Sequence, residues 1–365
     1  MHDQTTGIDL SRSFFEEAVR PALASRLPGL TYAAGRLGTG SDVLGLDDAT
    51  SRDHDWGLRL TLIVPADEVR EVEQVLEAEV PDAVEGLPAR FRFSGDTAAR
   101  LHVDVSSLPG LLLPRLGFDP RAATTVDWLS LTGQAALEVT AVPVFADSEG
   151  ELGRARSALE WYPEDVWRYA LASAWVRLEQ ELPLLGRAAD VGDDRGSRVI
   201  AARLAAVIIH LAFLLERRWA PYAKWLGTVF TTLQTSADLG PVVDDLLVAP
   251  DRATRERALA AALQLLLERQ NDAGLTRVAR ATMPFWDRPH LHPDPSIARQ
   301  LMAPVRNETL LTLRVGLGTI EQRTDNVDLL VDPVLRRRAV LPASPSGTGM
   351  AATARRAGDG PPFSR

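Results

Sequence analysis

A chain of 365 residues with 45% apolar and 24% charged side chains has the balance of a globular protein and is long enough for two domains. Its formal charge of -9 argues against a broad nucleic-acid-coating surface, although a local basic cleft stays compatible with it. Cysteine is absent, which excludes disulfides, zinc-thiolate centres and thiol nucleophiles together.

In chain order, Met1 to Leu10 has neither the basic start nor the apolar core of a secretory signal. Ser13 to Ser25 predicts a helix with Phe14, Phe15, Val19 and Leu23 on one face and a kink at Pro21. Leu58 to Val64 predicts a strand ended by Pro65, and Ala66 to Val80 a helix with its stripe at Val69, Val72, Leu76 and Val80. Short strands are expected at Phe91–Phe93, Leu101–Val105 and Ala141–Phe145. Beyond Gly150 helices dominate, at Pro163 onward, Val199–Arg217, Val242–Val248, Ala253–Gln270 and Ile297–Met302, and strand signals are almost absent. The stretch Leu204 to Leu215 is broken by His210 and too short for about 30 Å of hydrocarbon, so a buried helix, no membrane and a cytoplasmic protein are expected. The reading is an α+β chain: a mixed sheet with flanking helices over 1–150, a helical bundle over 151–340, and a disordered tail over 341–365.

The segment from Gly40-Ser41 to Asp53-His54-Asp55 carries the chemistry. On a strand, residues two apart share a face, so Asp53 and Asp55 can approach one cation while His54 points away. Paired carboxylates suit Mg²⁺, which takes oxygen ligands and keeps substrate phosphates in its shell. Gly40 would let the backbone approach a phosphate, and Ser41 would offer its hydroxyl and N–H. Asp104 is the candidate third carboxylate, because a mid-strand carboxylate between two valines is costly unless it is paired or metal-bound.

This pattern of Gly40-Ser41, a gap, Asp53-x-Asp55 and a later strand carboxylate resembles the nucleotidyltransferase superfamily of the DNA polymerase β type. Gly40-Ser41-Asp42-Val43-Leu44-Gly45 and Ser51-Arg52-Asp53-His54-Asp55-Trp56-Gly57 look more narrowly like its uncharacterised DUF4037 group. Trp161-Tyr162-Pro163, Ala220-Pro221-Tyr222-Ala223-Lys224-Trp225 and Gly318-Thr319-Ile320-Glu321-Gln322 extend that likeness. The resemblance implies a nucleotidyltransferase-type mixed sheet followed by a helical acceptor domain. It implies one or two Mg²⁺ ions on Asp53, Asp55 and Asp104, and a nucleoside triphosphate (ATP by expectation) on Gly40 and Ser41. The nucleotide would pass to a hydroxyl of an unidentified small molecule with release of pyrophosphate. Lys224, the sole lysine, would reach the triphosphate, with Tyr222 beside the base. Each has a plainer reading: a snorkelling surface lysine beside an aromatic pair, and packing.

Other candidates have plainer readings too. Asp47 and Asp48 read as a solvated turn, His210 as a satisfied core histidine, and His290-Leu291-His292-Pro293-Asp294 as a loop rather than a metal site. Glu321-Gln322-Arg323-Thr324-Asp325-Asn326 either returns to a cleft or caps a helix. A nucleotide-binding regulator, a protein- or RNA-modifying enzyme and an antitoxin-like partner are the alternative functions. Nucleic acid is not an expected partner, and the oligomeric state is open.

Overall fold

The structure is a computed structural model that describes residues 6–47, 56–93, 96–284 and 290–341. Asp48, Asp53, His54 and Asp55, and the expected tail from residue 342 on, lie outside the described residues.

The N-terminal segment is α1 (Gly7–Phe14), a π-helical turn (Phe15–Val19) and α2 (Arg20–Arg26). Pro21 falls in the first turn of α2, where a missing N–H costs nothing, and the π turn keeps Phe14, Phe15 and Val19 all buried. Thr6 opens α1 with a reciprocal capping box to Asp9.

Four strands form the central sheet: β1 (Ala33–Gly35), β2 (Leu60–Ile63), β3 (Val103–Ser106) and β4 (Val144–Asp147). Their spatial order is β3-β2-β1-β4. β2 pairs in parallel with β3 and antiparallel with β1, and β1 pairs antiparallel with β4, so the sheet is mixed. Strand alternation sends Leu60, Leu62 and Ala34 into a core with Phe14, Phe15, Val72 and Leu76, the last two from α3 (Val69–Glu79). Ala33 and Ile63 point the other way, into a core with Leu111, Leu112 and Trp128. The last predicted strand is displaced: Ala141 caps a helix, and pairing begins at Val144.

Three helices cover that second face: α4 (Leu108–Leu116), α5 (Thr125–Ser130) and α6 (Gly133–Thr140). After α7 (Glu151–Ala158), Pro163 caps the long α8 (Glu164–Asp190), which packs against α9 (Asp194–Leu215). α9 is long and apolar enough to cross a membrane by length and composition, but Leu204, Ile208 and Leu211 are buried in the bundle. There follow α10 (Ala223–Phe230), α11 (Ser236–Val248) and α12 (Arg252–Asp272). Trp175 of α8 donates to Gln270 of α12 (2.9 Å), whose amide donates to Thr276 (3.0 Å), so both ends of this buried amide have a partner.

Strands do occur here, contrary to expectation: β5 (Thr282–Pro284) and β6 (Leu291–Pro293) form an antiparallel hairpin on α8. The His290–Asp294 segment is therefore strand rather than loop. His290, 2% exposed, sits 2.9 Å from Asp190 and 3.6 Å from Glu256, so a carboxylate lies near each ring nitrogen. Among the described residues no group of three or more His, Asp or Glu converges to hold a metal. The chain then passes through α13 (Ser296–Met302), α14 (Glu308–Thr312), α15 (Ile320–Arg323), α16 (Val327–Val331) and α17 (Pro333–Val340). α17 returns to α5, and the larger apolar core runs without a break from Ala33 to Val340.

Candidate functional site

The Gly-Ser turn leaves β1 through Arg36-Leu37-Gly38-Thr39. Arg36 (2% exposed) holds Asp42 (7%) with two bonds, Nε to Oδ2 at 2.7 Å and Nη2 to Oδ1 at 3.0 Å. Arg36 also donates to the carbonyls of Leu37 and Thr39, both at 2.8 Å. A planar guanidinium thus fastens both ends of the turn. Gly40 has φ +135°, and a Cβ there would lie 2.1 Å from Asp42 Oδ1. The close approach of Asp42 alone therefore demands glycine. Ser41 precedes a 3-10 turn, Asp42–Leu44, and its carbonyl accepts from the N–H groups of Leu44 (3.1 Å) and Leu46 (2.9 Å).

Asp47 corrects the sequence reading. It is 7% exposed, and its carboxylate accepts from the Gly7 N–H at the start of α1 (2.6 Å) and from Trp56 Nε1 (3.2 Å). A carboxylate there meets the positive end of the helix dipole, so Asp47 ties α1 to the turn instead of lying in solvent.

Asp104 faces Thr61 across the β2–β3 pair, on the side of the sheet opposite Leu60 and Leu62. β3 is an edge strand and Asp104 is exposed. Water can solvate this carboxylate, so the argument that its position is costly without a metal falls away. Its place on the same face as Thr61 and Gly35 still leaves it available. Arg59 sits before β2 on that face, 3.9 Å from Asp42 Oδ1, and donates to the Thr39 carbonyl at 3.3 Å.

Tyr222 and Lys224 open α10 and are both exposed, with the ammonium 4.7 Å above the Trp225 ring. The cation–π contact explains the aromatic neighbour. What joins this segment to the Gly-Ser turn is α6. At one end, Gln134 accepts from the Tyr222 N–H (3.3 Å). One turn on, the Glu138 carbonyl accepts from the Gly38 N–H (2.8 Å). At about 1.5 Å of rise per residue these two anchor points are some 6 Å apart along the helix. Arg115 lies against Gly38 and 3.8 Å from Glu138, and its buried Nε has no hydrogen-bond partner among the described residues. Burial pushes the Glu138 carboxyl above its usual range, with Gln134 and Arg115 pulling it back.

The N-terminal residue of α6 leads to a second feature, which sequence reasoning missed. The Gly133 N–H donates to Glu321 (3.0 Å), and Glu321 lines a cavity of about 460 Å³ between α8, α9 and the 319–325 segment. His210 and Arg177 face the same space, with Trp161, Tyr162 and Trp219 forming an aromatic wall. The Trp161 and Trp219 rings lie 4.6 Å apart. Burial pushes Glu321 up to about 7, against the Gly133 bond and Arg336, which lower it. Burial, with help from Arg177, pushes His210 down to about 4. Both side chains are open to the cavity, yet both feel a poorly hydrated surrounding.

His210 has no hydrogen-bond partner among the described residues, so it is not the satisfied core histidine expected. The signal was present, since it interrupts an apolar helix face; only the packing of 319–325 across α9 reveals what it faces. That segment opens a short helix and lines this cavity. Thr319 and Gln322 make a capping box on α15, while Glu321 turns into the cavity.

Residues 128–226 match the family described as a domain of unknown function, DUF4037. Trp161-Tyr162-Pro163 and Ala220 to Trp225 fall inside that match, as do Arg177 and His210; the Gly-Ser turn and the Gly318–Gln322 segment fall outside it. Among solved structures the chain is similar to a nucleotidyltransferase-like protein from Exiguobacterium sibiricum, at 12% identity and a TM-score of 0.33, over 76% of this chain and 99% of that one. No curated protein matches the chain.

Proposed function

We propose that the protein is a Mg²⁺-dependent nucleotidyltransferase whose triphosphate rests on the Gly40-Ser41 turn, with Asp53, Asp55 and Asp104 as metal ligands, Lys224 for the phosphates and Tyr222 for the base. The observation that carries this reading is α6: one short helix hydrogen-bonds both Gly38 and Tyr222. It therefore holds the two segments expected at the phosphates and at the base within one helical turn of each other. Arg59 and Arg115 add positive charge beside the turn, while Arg36 neutralises Asp42. A divalent cation on the carboxylates would supply charge neutralisation at the phosphates. In the transfer, an acceptor hydroxyl oxygen bonds to the α-phosphorus and the bond to the pyrophosphate oxygen breaks. Asp104 is the expected acceptor of the hydroxyl proton. Such chemistry depends on positioning and electrostatics more than on covalent participation by the protein.

Thermal melting with each nucleoside triphosphate, with and without Mg²⁺, tests the reading. A metal-dependent stabilisation that disappears in Asp53→Asn and Asp55→Asn is the expected result. No shift with any nucleotide overturns it. Nucleotide binding without pyrophosphate release across a panel of small hydroxyl acceptors would make the protein a nucleotide-responsive regulator instead.

A further inference from the structure

The cavity beneath α8 and α9 holds a surplus of positive charge that its own walls do not use. Arg177, Arg203, Arg218 and Arg323 border it. Arg177 and Arg203 share one carboxylate, Glu181, at 3.0 and 3.1 Å. Arg218 donates to the Thr232 carbonyl (3.0 Å), and Arg323 donates to the carbonyls of Gly318 (3.2 Å) and Ala339 (2.8 Å). Neither has a carboxylate within ion-pair distance among the described residues. Trp161 Nε1, a buried donor on a lining side chain, has no hydrogen-bond partner among the described residues. Buried donors without partners are costly in a folded chain unless water or a ligand satisfies them. The opposite wall is aromatic, built from Trp161 and Trp219, whose ring planes are inclined by 43° to each other. The volume lies within the range of small-molecule sites.

We propose that this cavity binds a small organic oxyanion, a carboxylate or phosphate on a flat ring, with the arginines around the charged group and the Trp161–Trp219 wall against the ring. The arrangement is selective because guanidinium forks match the planar or trigonal oxygens of such groups. His210, uncharged at neutral pH, adds a hydrogen bond without adding charge. Among the described residues two carboxylates line the cavity, Glu321 and Asp325, and Glu321 is the one bonded to the first residue of α6. The groups facing it are Tyr162, Thr319 and the Gly133 N–H, with Arg336 behind, and His210 and Arg177 across the cavity. When Glu321 loses its proton it places a negative charge beside the ligand, so affinity falls as pH rises through about 7. The proposal concerns binding alone and stands whether or not a nucleotidyl group is transferred.

Isothermal titration of the full chain with benzoate and phenyl phosphate tests it, against neutral benzamide and cationic benzylamine. At least one of the two anions should bind with a Kd below about 1 mM, at least tenfold tighter than benzamide. Which of the two binds tighter distinguishes a carboxylate from a phosphate ligand. Arg218→Gln, at the exposed mouth, should weaken that binding at least tenfold with an unchanged melting temperature, and Arg177→Gln should do the same from inside. Glu321→Gln should flatten the decline between pH 6 and about 8. Equal binding of benzamide, preference for benzylamine, or no anion binding at this level overturns the proposal. So would anion binding indifferent to both arginine replacements, which would place the ligand elsewhere.

Discussion

Asp42 shows how much a single side chain can hold at this site. It was counted with the turn in the sequence and given no task, yet its pair with Arg36 is buried on both sides. Removing one partner of a buried pair leaves the other charge uncompensated, at about 3–5 kcal/mol. Asp42→Ala should lower the urea midpoint by a matching amount, and a loss under about 1 kcal/mol would mean that the Leu37 and Thr39 carbonyls satisfy Arg36 alone. Glu321 behaves oppositely. Its folded value, about 7, is raised above an unfolded 4.5, so its contribution is fully present below pH 4.5 and is lost as pH rises through 7. Glu321→Gln keeps an acceptor for Gly133 and should therefore be more stable than the parent at pH 8, on the order of 1–3 kcal/mol, with the gain vanishing toward pH 4.5. Denaturant midpoints at the two pH values check it. His210, with its value depressed to about 4, supplies stability present above pH 6.5 and lost as pH falls through 4. Neither shift could be read from the sequence, because both arise first from burial, which only the packing of separate elements creates.

Among the elements, two glycines make a matched test of helix contacts. A Cβ on Gly133 would stand 2.3 Å from the Ala220 carbonyl oxygen, whereas nothing lies within 4 Å of one on Gly227 in α10. Gly133→Ala should cost about 1–3 kcal/mol by forcing α6 away from Ala220. Gly227→Ala should stabilise by about 0.5–1 kcal/mol through helix propensity. Thermal melts of the two variants should move in opposite directions, and equal shifts would show that α6 and the Ala220 segment yield freely. The long elements were legible because their apolar periodicity sustains itself: β2, α3, α8, α9 and α12 fall where the pattern put them. The short ones were not. α4 and α6 are apolar on several sides, the β5–β6 hairpin has strands of three residues, and α14 to α16 depend on caps at Asn307, Thr319 and Asn326. For Asp104 the argument from a costly mid-strand carboxylate does not hold, since sequence cannot tell an edge strand from a central one.

At the scale of the molecule, the C-terminal helix fastens the chain to its first half. Arg336 of α17 is 2% exposed; it donates to the Leu330 carbonyl (2.7 Å) and to the carbonyl of Arg115 on α4. Arg337 pairs with Asp127 of α5, and Pro333 rests against Gly117. A chain ended at Asp332 should lose several kcal/mol and a single cooperative transition, seen as far- and near-ultraviolet circular dichroism melts that no longer coincide. Coincident melts at the parent temperature would show α17 to be an accessory. Loss of Arg336 would also push the Glu321 carboxyl further up, as its lowering influence disappears. This closure was invisible in the sequence, where 333–340 has three arginines in a row and no sustained apolar stripe.

Helix α6 is gripped at Gly133 by Glu321, at Gln134 by Tyr222 and at Glu138 by Gly38. Eight residues of helix span only about 12 Å, so the three anchor points lie close together. A molecule that draws Glu321 toward the cavity therefore pulls on the same helix that holds the Gly-Ser turn. Thermodynamic reciprocity then applies: whatever one occupant adds to the affinity of the other, the other returns in equal measure.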